Sequence, residues 1–172
     1  MILIGYPGIG KSTLVEKLKI NNTSKYKYID LESSNFHNGS SPEDWYKNYI
    51  KVAIDLSNQG YFVFVSCHKF IRDELHKHVS DGDINHNEIA VIYPKLSLKD
   101  RWIDMLEIRL AEHPEDKNKN ALSNVMENYD SQIEDLMKEN FHHIEIVQTP
   151  GSNYDLNMII EQHIKTCVVS FF

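Results

Sequence analysis

The chain has 172 residues, and its 18 Lys and Arg against 25 Asp and Glu give a formal net charge of −7. Hydrophobic residues make up 41% of the sequence and charged residues 25%, which are ordinary values for a folded globular domain. The composition argues against a disordered chain, and the acidic balance argues against non-specific binding of nucleic acid. We expect a single domain over residues 1–172.

Cysteine usage and hydropathy set expectations about the compartment. The two cysteines, Cys67 and Cys167, stand far apart and form no CxxC pattern, which predicts neither a disulfide framework nor a zinc site. The apolar runs are much shorter than the roughly 20 residues that a membrane-spanning helix needs. We therefore expect a cytoplasmic protein without a membrane partner.

Short apolar runs and helical periodicities alternate along the chain. The predicted strands are Ile2–Gly5, Lys27–Leu31, Tyr61–Cys67, Glu88–Tyr93 and Ile144–Val147. The predicted helices are Ser12–Ile20, a helix from Ser41-Pro42-Glu43-Asp44 to about Ser57, Phe70–Val79, Leu98–Ala111, Ala121–Lys138 and Leu156–Ile164. The polar stretch His113–Asn120 is predicted as a mobile loop. This alternation predicts an α/β fold with a parallel sheet covered by helices on both faces.

A glycine-rich string stands between the first predicted strand and the first predicted helix. Gly5-Tyr6-Pro7-Gly8-Ile9-Gly10-Lys11-Ser12 matches the pattern G-x-x-x-x-G-K-[ST] in full. Glycines here let backbone N–H groups turn toward phosphates, and the N-terminus of the following helix adds the positive end of its dipole. The pattern predicts a site for a nucleoside triphosphate, with Lys11 at the β- and γ-phosphates and the Ser12 hydroxyl on Mg²⁺. The alternative is a glycine-rich turn with an exposed lysine.

The glycine-rich pattern is typical of P-loop proteins, and other parts of the sequence distinguish among their classes. The nearest match to the Asn-Lys-x-Asp string of GTPases is Asn118-Lys119-Asn120-Ala121, which ends in alanine. The apolar run Tyr61–Val65 leads into Ser66-Cys67-His68, where a large ATPase would place acidic residues. The sequence therefore disfavours a GTPase switch and an ATP-driven motor, and it favours a kinase.

Two carboxylates lie at the end of the second predicted strand. Asp30 and Glu32 are two residues apart in an extended segment, so they lie on the same side of it. Carboxylates beside a triphosphate can hold Mg²⁺ and accept the proton of an attacking hydroxyl. We expect Asp30 to act on the metal and the acceptor, and Glu32 to contact the acceptor. The alternative is a solvated pair at the start of a loop.

These residues together resemble a known family. The set Gly5–Thr13, the carboxylates Asp30 and Glu32, and the downstream arginines resemble small P-loop kinases of the adenylate kinase-like group, whose shikimate and gluconate kinase members carry an acidic pair after the second strand. More closely, the chain looks like a phage-type branch that includes nucleotide kinases and 5-hydroxymethyluracil DNA kinases. That resemblance covers about residues 1–112, and the segments that carry it are Ile29–Phe36, the helix with Trp45 and Tyr49, Val63–His68 with Arg72, and Ile92-Tyr93-Pro94. The lack of an acid after Val65 departs from ordinary nucleoside monophosphate kinases.

The resemblance, together with the positions of His68 directly after the third predicted strand and of Arg72 near the start of the following helix, gives roles to five further residues. Arg101 would bind the donor, and Arg109 would neutralise charge on the γ-phosphate during transfer. Arg72 would bind a phosphate or carboxylate of the substrate. For these three arginines the alternative is an ordinary surface salt bridge. Phe36 and His68 would contact the substrate, and capping of a strand end is the alternative for His68.

The sequence and the resemblance together predict a fold and a reaction. The implied fold is a P-loop fold of the nucleotide kinase type, with a five-stranded parallel sheet of order 2-3-1-4-5 and a short lid over about residues 101–121. We expect an ATP- and Mg²⁺-dependent phosphotransferase acting on a small acceptor, a nucleoside or deoxynucleoside monophosphate. Two alternatives stay open: a DNA or polynucleotide kinase, and a nucleotide-binding regulatory module without turnover. A homodimer is compatible with each.

The expected donor-binding residues are Gly5, Pro7, Gly8, Ile9, Gly10, Lys11, Ser12, Thr13 and Arg101, and the expected catalytic residues are Lys11, Asp30 and Arg109.

Overall fold

A computed structural model describes residues 1–21, 24–37, 44–151 and 154–169, with the backbone alone described at 167–169. The strands are β1 (Ile2–Gly5), β2 (Lys27–Asp30), β3 (Tyr61–Ser66), β4 (Ile89–Pro94) and β5 (His142–Ile146). They form one five-stranded parallel sheet in the order β2-β3-β1-β4-β5. The predicted fold class and strand order are confirmed.

Helices alternate with the strands as predicted. They are α1 (Lys11–Asn21), α2 (Trp45–Asn58), α3 (Lys69–Asp81), α4 (Lys99–Glu112), α5 (Asp116–Leu136) and α6 (Leu156–Val169). Asp44 is the N-cap residue of α2, whereas the predicted start at residues 41–43 lies outside the described residues. In the described part of the chain, no helix is long and apolar enough to cross a membrane.

The segment between α4 and α5 departs from its prediction. The loop expected over His113–Asn120 is wrong in its second half, because α5 already begins at Asp116. Asn118 is buried, and its Nδ2 donates a hydrogen bond to the carbonyl oxygen of His113 at 2.7 Å. The polar residues that suggested a loop therefore stabilise the start of a helix, where the acidic Asp116 also suits the helix dipole. The lid over about residues 101–121 stays a prediction.

The described chain forms two compact units. The first comprises Met1–Gly5 and Lys11–Val91, and the second comprises Tyr6–Gly10 and Ile92–Phe172. The ends of the glycine-rich string thus belong to the first unit, and its middle belongs to the second. Single-domain organisation stays a prediction.

In the first unit, the strand register places three strand ends at one edge. β1 and β3 pair in parallel with Gly5 opposite Ser66, and β2 pairs in parallel with β3 with Asp30 opposite Phe64. Because parallel strands share one direction, their carboxyl ends meet at the edge from which α1 departs. The strands are held there by a buried apolar core that includes Ile2, Leu3, Ile4, Phe62, Val63, Phe64 and Val65.

In the second unit, α4 and α5 pack around large aromatic side chains. Trp102 of α4 and Tyr129 of α5 are fully buried. The Tyr129 hydroxyl donates to the carbonyl oxygen of Lys95 at 2.9 Å, and the Lys95 N–H donates to the carbonyl oxygen of Ile146 at 2.9 Å. These bonds fix α5 and the end of β5 to the residue that follows β4.

Candidate functional site

Three predicted site residues meet at the strand edge of the first unit. Ser12 lies in the first turn of α1 and Asp30 ends β2, and the Ser12 hydroxyl donates to Asp30 Oδ2 at 2.6 Å. The Lys11 ammonium donates to the carbonyl oxygen of Gly5 at 3.0 Å, so the lysine folds back toward the end of β1. The strand register and the start of α1 therefore place an ammonium, a hydroxyl and a carboxylate at one edge.

The Ser12–Asp30 pair fits a Mg²⁺ ion. Its donors are a hydroxyl and a carboxylate, the hard oxygen ligands that Mg²⁺ prefers. Mg²⁺ is usually held by one or two carboxylates together with substrate phosphates and water, so an all-protein cage is not needed. Among the described residues, no group of three or more His, Cys, Asp or Glu side chains forms a metal cage.

Tyr49 of α2 joins two segments at this edge. Its hydroxyl donates to the carbonyl oxygen of Leu31 at 2.8 Å and accepts from the N–H of Ser66 at 3.0 Å. It thereby joins the segment after β2 to the end of β3. Burial, reinforced by the charges of Asp30 and Glu32, raises the pKa of Tyr49, so the hydroxyl keeps its proton. Helical spacing alone could not reveal this bridge, because the bonded backbone groups lie 17 and 18 residues away.

The carboxylate of Glu32 and the ring of Phe36 lie beside this bridge. Glu32 is half-buried and precedes a 3-10 turn at Ser33–Phe36. The charge of Glu32 acts on Tyr49, and the ring of Phe36 meets the Tyr49 ring edge-on at 5.2 Å between centroids. The two predicted acceptor residues therefore lie near Tyr49, on which the charge of Asp30 also acts.

His68 and Arg72 stand at the end of β3 and the start of α3. His68 is the N-cap residue of α3, but its side chain makes no capping hydrogen bond and instead stacks on Phe70 at 5.4 Å. Desolvation, followed by the positive charges of Lys11 and Arg72, lowers the pKa of His68. The structure thus brings His68 and Arg72 into electrostatic range of Lys11, and it leaves the capping alternative for the His68 side chain without support.

Burial sets the properties of both Arg72 and Cys67. Arg72 is buried, and its Nε donates to the carbonyl oxygen of Cys67 at 3.0 Å. Because Arg72 is buried, it is not an ordinary surface arginine. Burial raises the pKa of the Cys67 thiol, so this cysteine is a neutral thiol rather than a nucleophilic thiolate.

Aromatic rings continue outward from Tyr49 along α2 and α3. Trp45 meets Tyr49 at 5.8 Å, Phe70 at 5.7 Å and the His37 ring at 4.3 Å, all edge-on. Phe70 keeps 41% of its surface exposed, and Trp45 is half-buried. We call this group the aromatic cluster; it consists of Phe36, His37, Trp45, Tyr46, Tyr49, His68 and Phe70. It offers exposed aromatic surface at His68 and Phe70.

The middle of the glycine-rich string is built by the second unit. Gly8 and Gly10 have φ angles of +85° and +87°, a backbone conformation that side chains disfavour. A Cβ on Gly8 would lie 2.9 Å from Trp102 Nε1 and 3.0 Å from Met105 Cε, so this position has no room for a side chain. Within the described residues, the N–H groups of Gly8 and Gly10 donate to no protein acceptor. That arrangement is what a phosphate cradle requires.

Arg101 and Arg109 lie on α4 of the second unit, and both are exposed. The buried side chains of α4 are Trp102 and Leu106, which fix its first two turns. Trp102 also donates from Nε1 to the carbonyl oxygen of Pro7 at 2.9 Å. Arg101 therefore stands beside a residue bonded to the glycine-rich string, and Arg109 stands two turns further along the helix.

Comparison with known proteins identifies similar structures rather than sequence relatives. No protein-family model and no curated protein matches the chain. A gluconokinase from Sinorhizobium meliloti 1021 is similar with a TM-score of 0.50 and 17% identity, covering 95% of this chain and 88% of that one. A shikimate kinase from Bacteroides thetaiotaomicron has a TM-score of 0.49 and 10% identity, covering 99% of this chain and 97% of that one. The chain thus shares the fold of the gluconokinase.

Proposed function

We propose that this protein is an ATP-dependent phosphotransferase that moves the γ-phosphate to a small acceptor. The observation that carries the proposal is the meeting of Lys11, Ser12 and Asp30 at one strand edge, with a 2.6 Å bond between the serine and the carboxylate. An ammonium, a metal-binding hydroxyl and a carboxylate are the groups that phosphoryl transfer uses to position and neutralise the donor. The fold shared with a gluconokinase favours the same class of reaction.

The glycine-rich string binds the donor in this proposal. Backbone N–H groups of Gly8, Gly10 and Lys11 hold the phosphate oxygens, and the Lys11 ammonium places its positive charge on the β- and γ-phosphates. Ser12 and Asp30 hold Mg²⁺, which when bound neutralises charge on the phosphates. Arg101 and Arg109 are proposed to bind the same phosphates from α4, with Arg109 acting during transfer.

The aromatic cluster supports a nucleoside monophosphate as the acceptor. Exposed aromatic surface near a carboxylate suits an acceptor with a flat base, because bases stack on aromatic rings. With its lowered pKa, His68 is neutral at pH 7 and can donate or accept a hydrogen bond without adding charge. Asp30 is bonded to Ser12 and its charge acts on Tyr49 of the aromatic cluster, so it is proposed to orient the acceptor and to take its proton when the acceptor is a hydroxyl.

One transfer assay tests this proposal. The protein is incubated with Mg²⁺ and ATP labelled at the γ-phosphate, against separate panels of nucleoside monophosphates, small alcohols including gluconate, and DNA. We expect label to appear on a nucleoside or deoxynucleoside monophosphate. Label on a small alcohol would keep the kinase and change the acceptor, and label on DNA would favour the polynucleotide alternative.

A binding measurement completes the test. If ATP binds tightly but no panel takes label, the regulatory module without turnover replaces the kinase. If ATP does not bind at all, the glycine-rich string is not a donor site. The phage-type branch, a cytoplasmic location and a homodimer stay predictions.

A further inference from the structure

Two carbonyl groups in the middle of the glycine-rich string accept hydrogen bonds from aromatic side chains far away in the sequence. Trp102 Nε1 donates to the carbonyl oxygen of Pro7 at 2.9 Å. The Tyr154 hydroxyl donates to the carbonyl oxygen of Ile9, also at 2.9 Å. All four residues belong to the second unit. The string is thus held at alternate peptide groups by donors from α4 and from the residues just before α6.

Because peptides are planar, these two hydrogen bonds also set the direction of the following N–H groups of the string. A trans peptide is planar, so its C=O and the N–H of the next residue point in opposite directions. Anchoring the Pro7 carbonyl therefore aims the Gly8 N–H the other way, and anchoring the Ile9 carbonyl does the same for Gly10. The intervening N–H of Ile9 donates within the string, to the Tyr6 carbonyl oxygen at 3.5 Å. The two outward-aimed N–H groups are those of the two glycines with positive φ.

We propose that Trp102 and Tyr154 are positioning residues that fix the Pro7–Gly8 and Ile9–Gly10 peptides, so that the N–H groups of Gly8 and Gly10 face the donor phosphates before ATP binds. The consequence for affinity rests on the proposed function, whereas the orientation of the peptides does not. Fixing donors in advance lowers the cost of ordering them when the phosphate arrives.

The chemistry of both side chains suits this role. An indole N–H is a donor only, and buried Trp102 needs an acceptor such as the Pro7 carbonyl. Burial raises the pKa of Tyr154, which keeps its hydroxyl protonated as a donor. The absence of a side chain at Gly8 lets the indole approach, because a Cβ there would lie 2.9 Å from Trp102 Nε1. The tryptophan can therefore reach the Pro7 carbonyl only because residue 8 is a glycine.

The decisive variant is Tyr154→Phe, which removes one hydroxyl and keeps the ring. The matched control is Tyr129→Phe, which removes a hydroxyl of the same second unit that donates to a backbone carbonyl at the same 2.9 Å, but at Lys95. The first measurement is the amide exchange rate and line width of Gly10 by NMR in the protein without nucleotide. The second is the affinity for ATP, together with the KM values for ATP and for the acceptor.

We expect faster exchange or broadening of the Gly10 amide signal in Tyr154→Phe, a five- to tenfold loss of ATP affinity, and an acceptor KM within about twofold of wild type. Tyr129→Phe should change none of these. A Gly10 signal and an ATP affinity equal to wild type in Tyr154→Phe would overturn the proposal. A loosened Gly10 amide in a protein that binds no ATP would uphold the positioning role and reject the proposed function.

Trp102→Phe tests the second anchor. It should loosen the Gly8 amide and leave the Gly10 amide unchanged. Because Trp102 is fully buried, this variant can lose stability through packing, and in that case Tyr154→Phe decides. The indole N–H signal of Trp102 in wild-type protein gives a further check, because the bond to Pro7 predicts slow exchange with solvent. Rapid exchange of that N–H would contradict the anchor.

Discussion

The glycine-rich string is held in two different ways along its length. Lys11 and Ser12, in the first unit, are held by polar side-chain contacts, of which the 2.6 Å bond to Asp30 is the clearest. Gly8 and Gly10, in the second unit, are held through their peptide groups by aromatic donors. One part of the string therefore offers charged side chains, and the other offers oriented backbone. We therefore expect the first part to be most sensitive to removal of a side-chain charge. We expect the second part to be most sensitive to an added side chain at a glycine or to removal of an aromatic hydrogen-bond donor.

The largest effect is expected from the charge of the first part. Asp30→Asn keeps the shape of the side chain and removes its negative charge, so it should lower turnover by about two orders of magnitude or more while ATP affinity changes little. The measurement is turnover with labelled ATP, beside ATP titration. Asp55→Asn, on the exposed side of α2, is the matched control and should behave as wild type.

The Mg²⁺ dependence of the same variant separates the two roles proposed for Asp30. If Asp30 holds the metal, Asp30→Asn should need a higher Mg²⁺ concentration for half-maximal turnover. If it acts on the acceptor alone, that concentration should stay the same and the maximal rate alone should fall. Turnover like that of wild type at every Mg²⁺ concentration would assign both roles to other residues.

The second part of the string should respond to added volume. Gly8→Ala adds a Cβ at 2.9 Å from Trp102 Nε1, at a φ of +85°. Gly82→Ala, at a φ of +81° with nothing within 4 Å of its Cβ, isolates the backbone cost. We expect about 1–2 kcal/mol of lost unfolding free energy for Gly82→Ala. Gly8→Ala should lose about 1–3 kcal/mol more, together with ATP affinity. Urea unfolding measures both, and equal losses would show that Trp102 moves aside readily.

The sequence predicts the first part of the string far better than the second. Lys11, Ser12 and Asp30 could be predicted because their side chains carry the chemistry and because they lie where a strand of the alternating pattern ends or the next helix begins. Trp102 and Tyr154 were not accessible, since their bonds end on carbonyl groups 95 and 145 residues away. The bridge that Tyr49 makes could not be predicted either, because it depends on the register of β2 and β3. The start of α5 was missed because a polar helix N-terminus and a polar loop have similar compositions.

Tyrosine hydroxyls in the two units should differ in what they support. Tyr49→Phe removes a hydroxyl that joins the Leu31 carbonyl to the Ser66 N–H, and it should cost about 1–3 kcal/mol of unfolding free energy. Turnover should also fall, by about tenfold, because the bridge sets the position of Asp30 relative to the end of β3. Tyr129→Phe should cost about 0.5–1.5 kcal/mol and leave turnover unchanged. Equal turnover in both variants would reduce Tyr49 to a core residue.

The smallest expected effect is a change of proton affinity at His68. Its pKa is lowered from the usual 6.5 by desolvation and then by the charges of Lys11 and Arg72. An unfolded chain therefore binds more protons than the folded one below about pH 6.5. The free energy of unfolding should therefore fall as the pH drops from about 6.5 to the lowered pKa of His68 in the folded protein. His68→Gln should remove this part of the pH dependence.

Inorganic triphosphate connects that proton affinity to the proposed donor site. An anion at Lys11 offsets the positive charge that disfavours the imidazolium form, so the pKa of His68 should rise toward its usual value when triphosphate binds. The pKa of His163, in the second unit, is lowered by burial and by the charges of His142 and His143, so it should not respond. Imidazole proton signals, assigned with His68→Gln and His163→Gln, report both values by NMR titration. If triphosphate left the pKa of His68 unchanged and shifted the pKa of His163, the anion would bind in the second unit, away from Lys11.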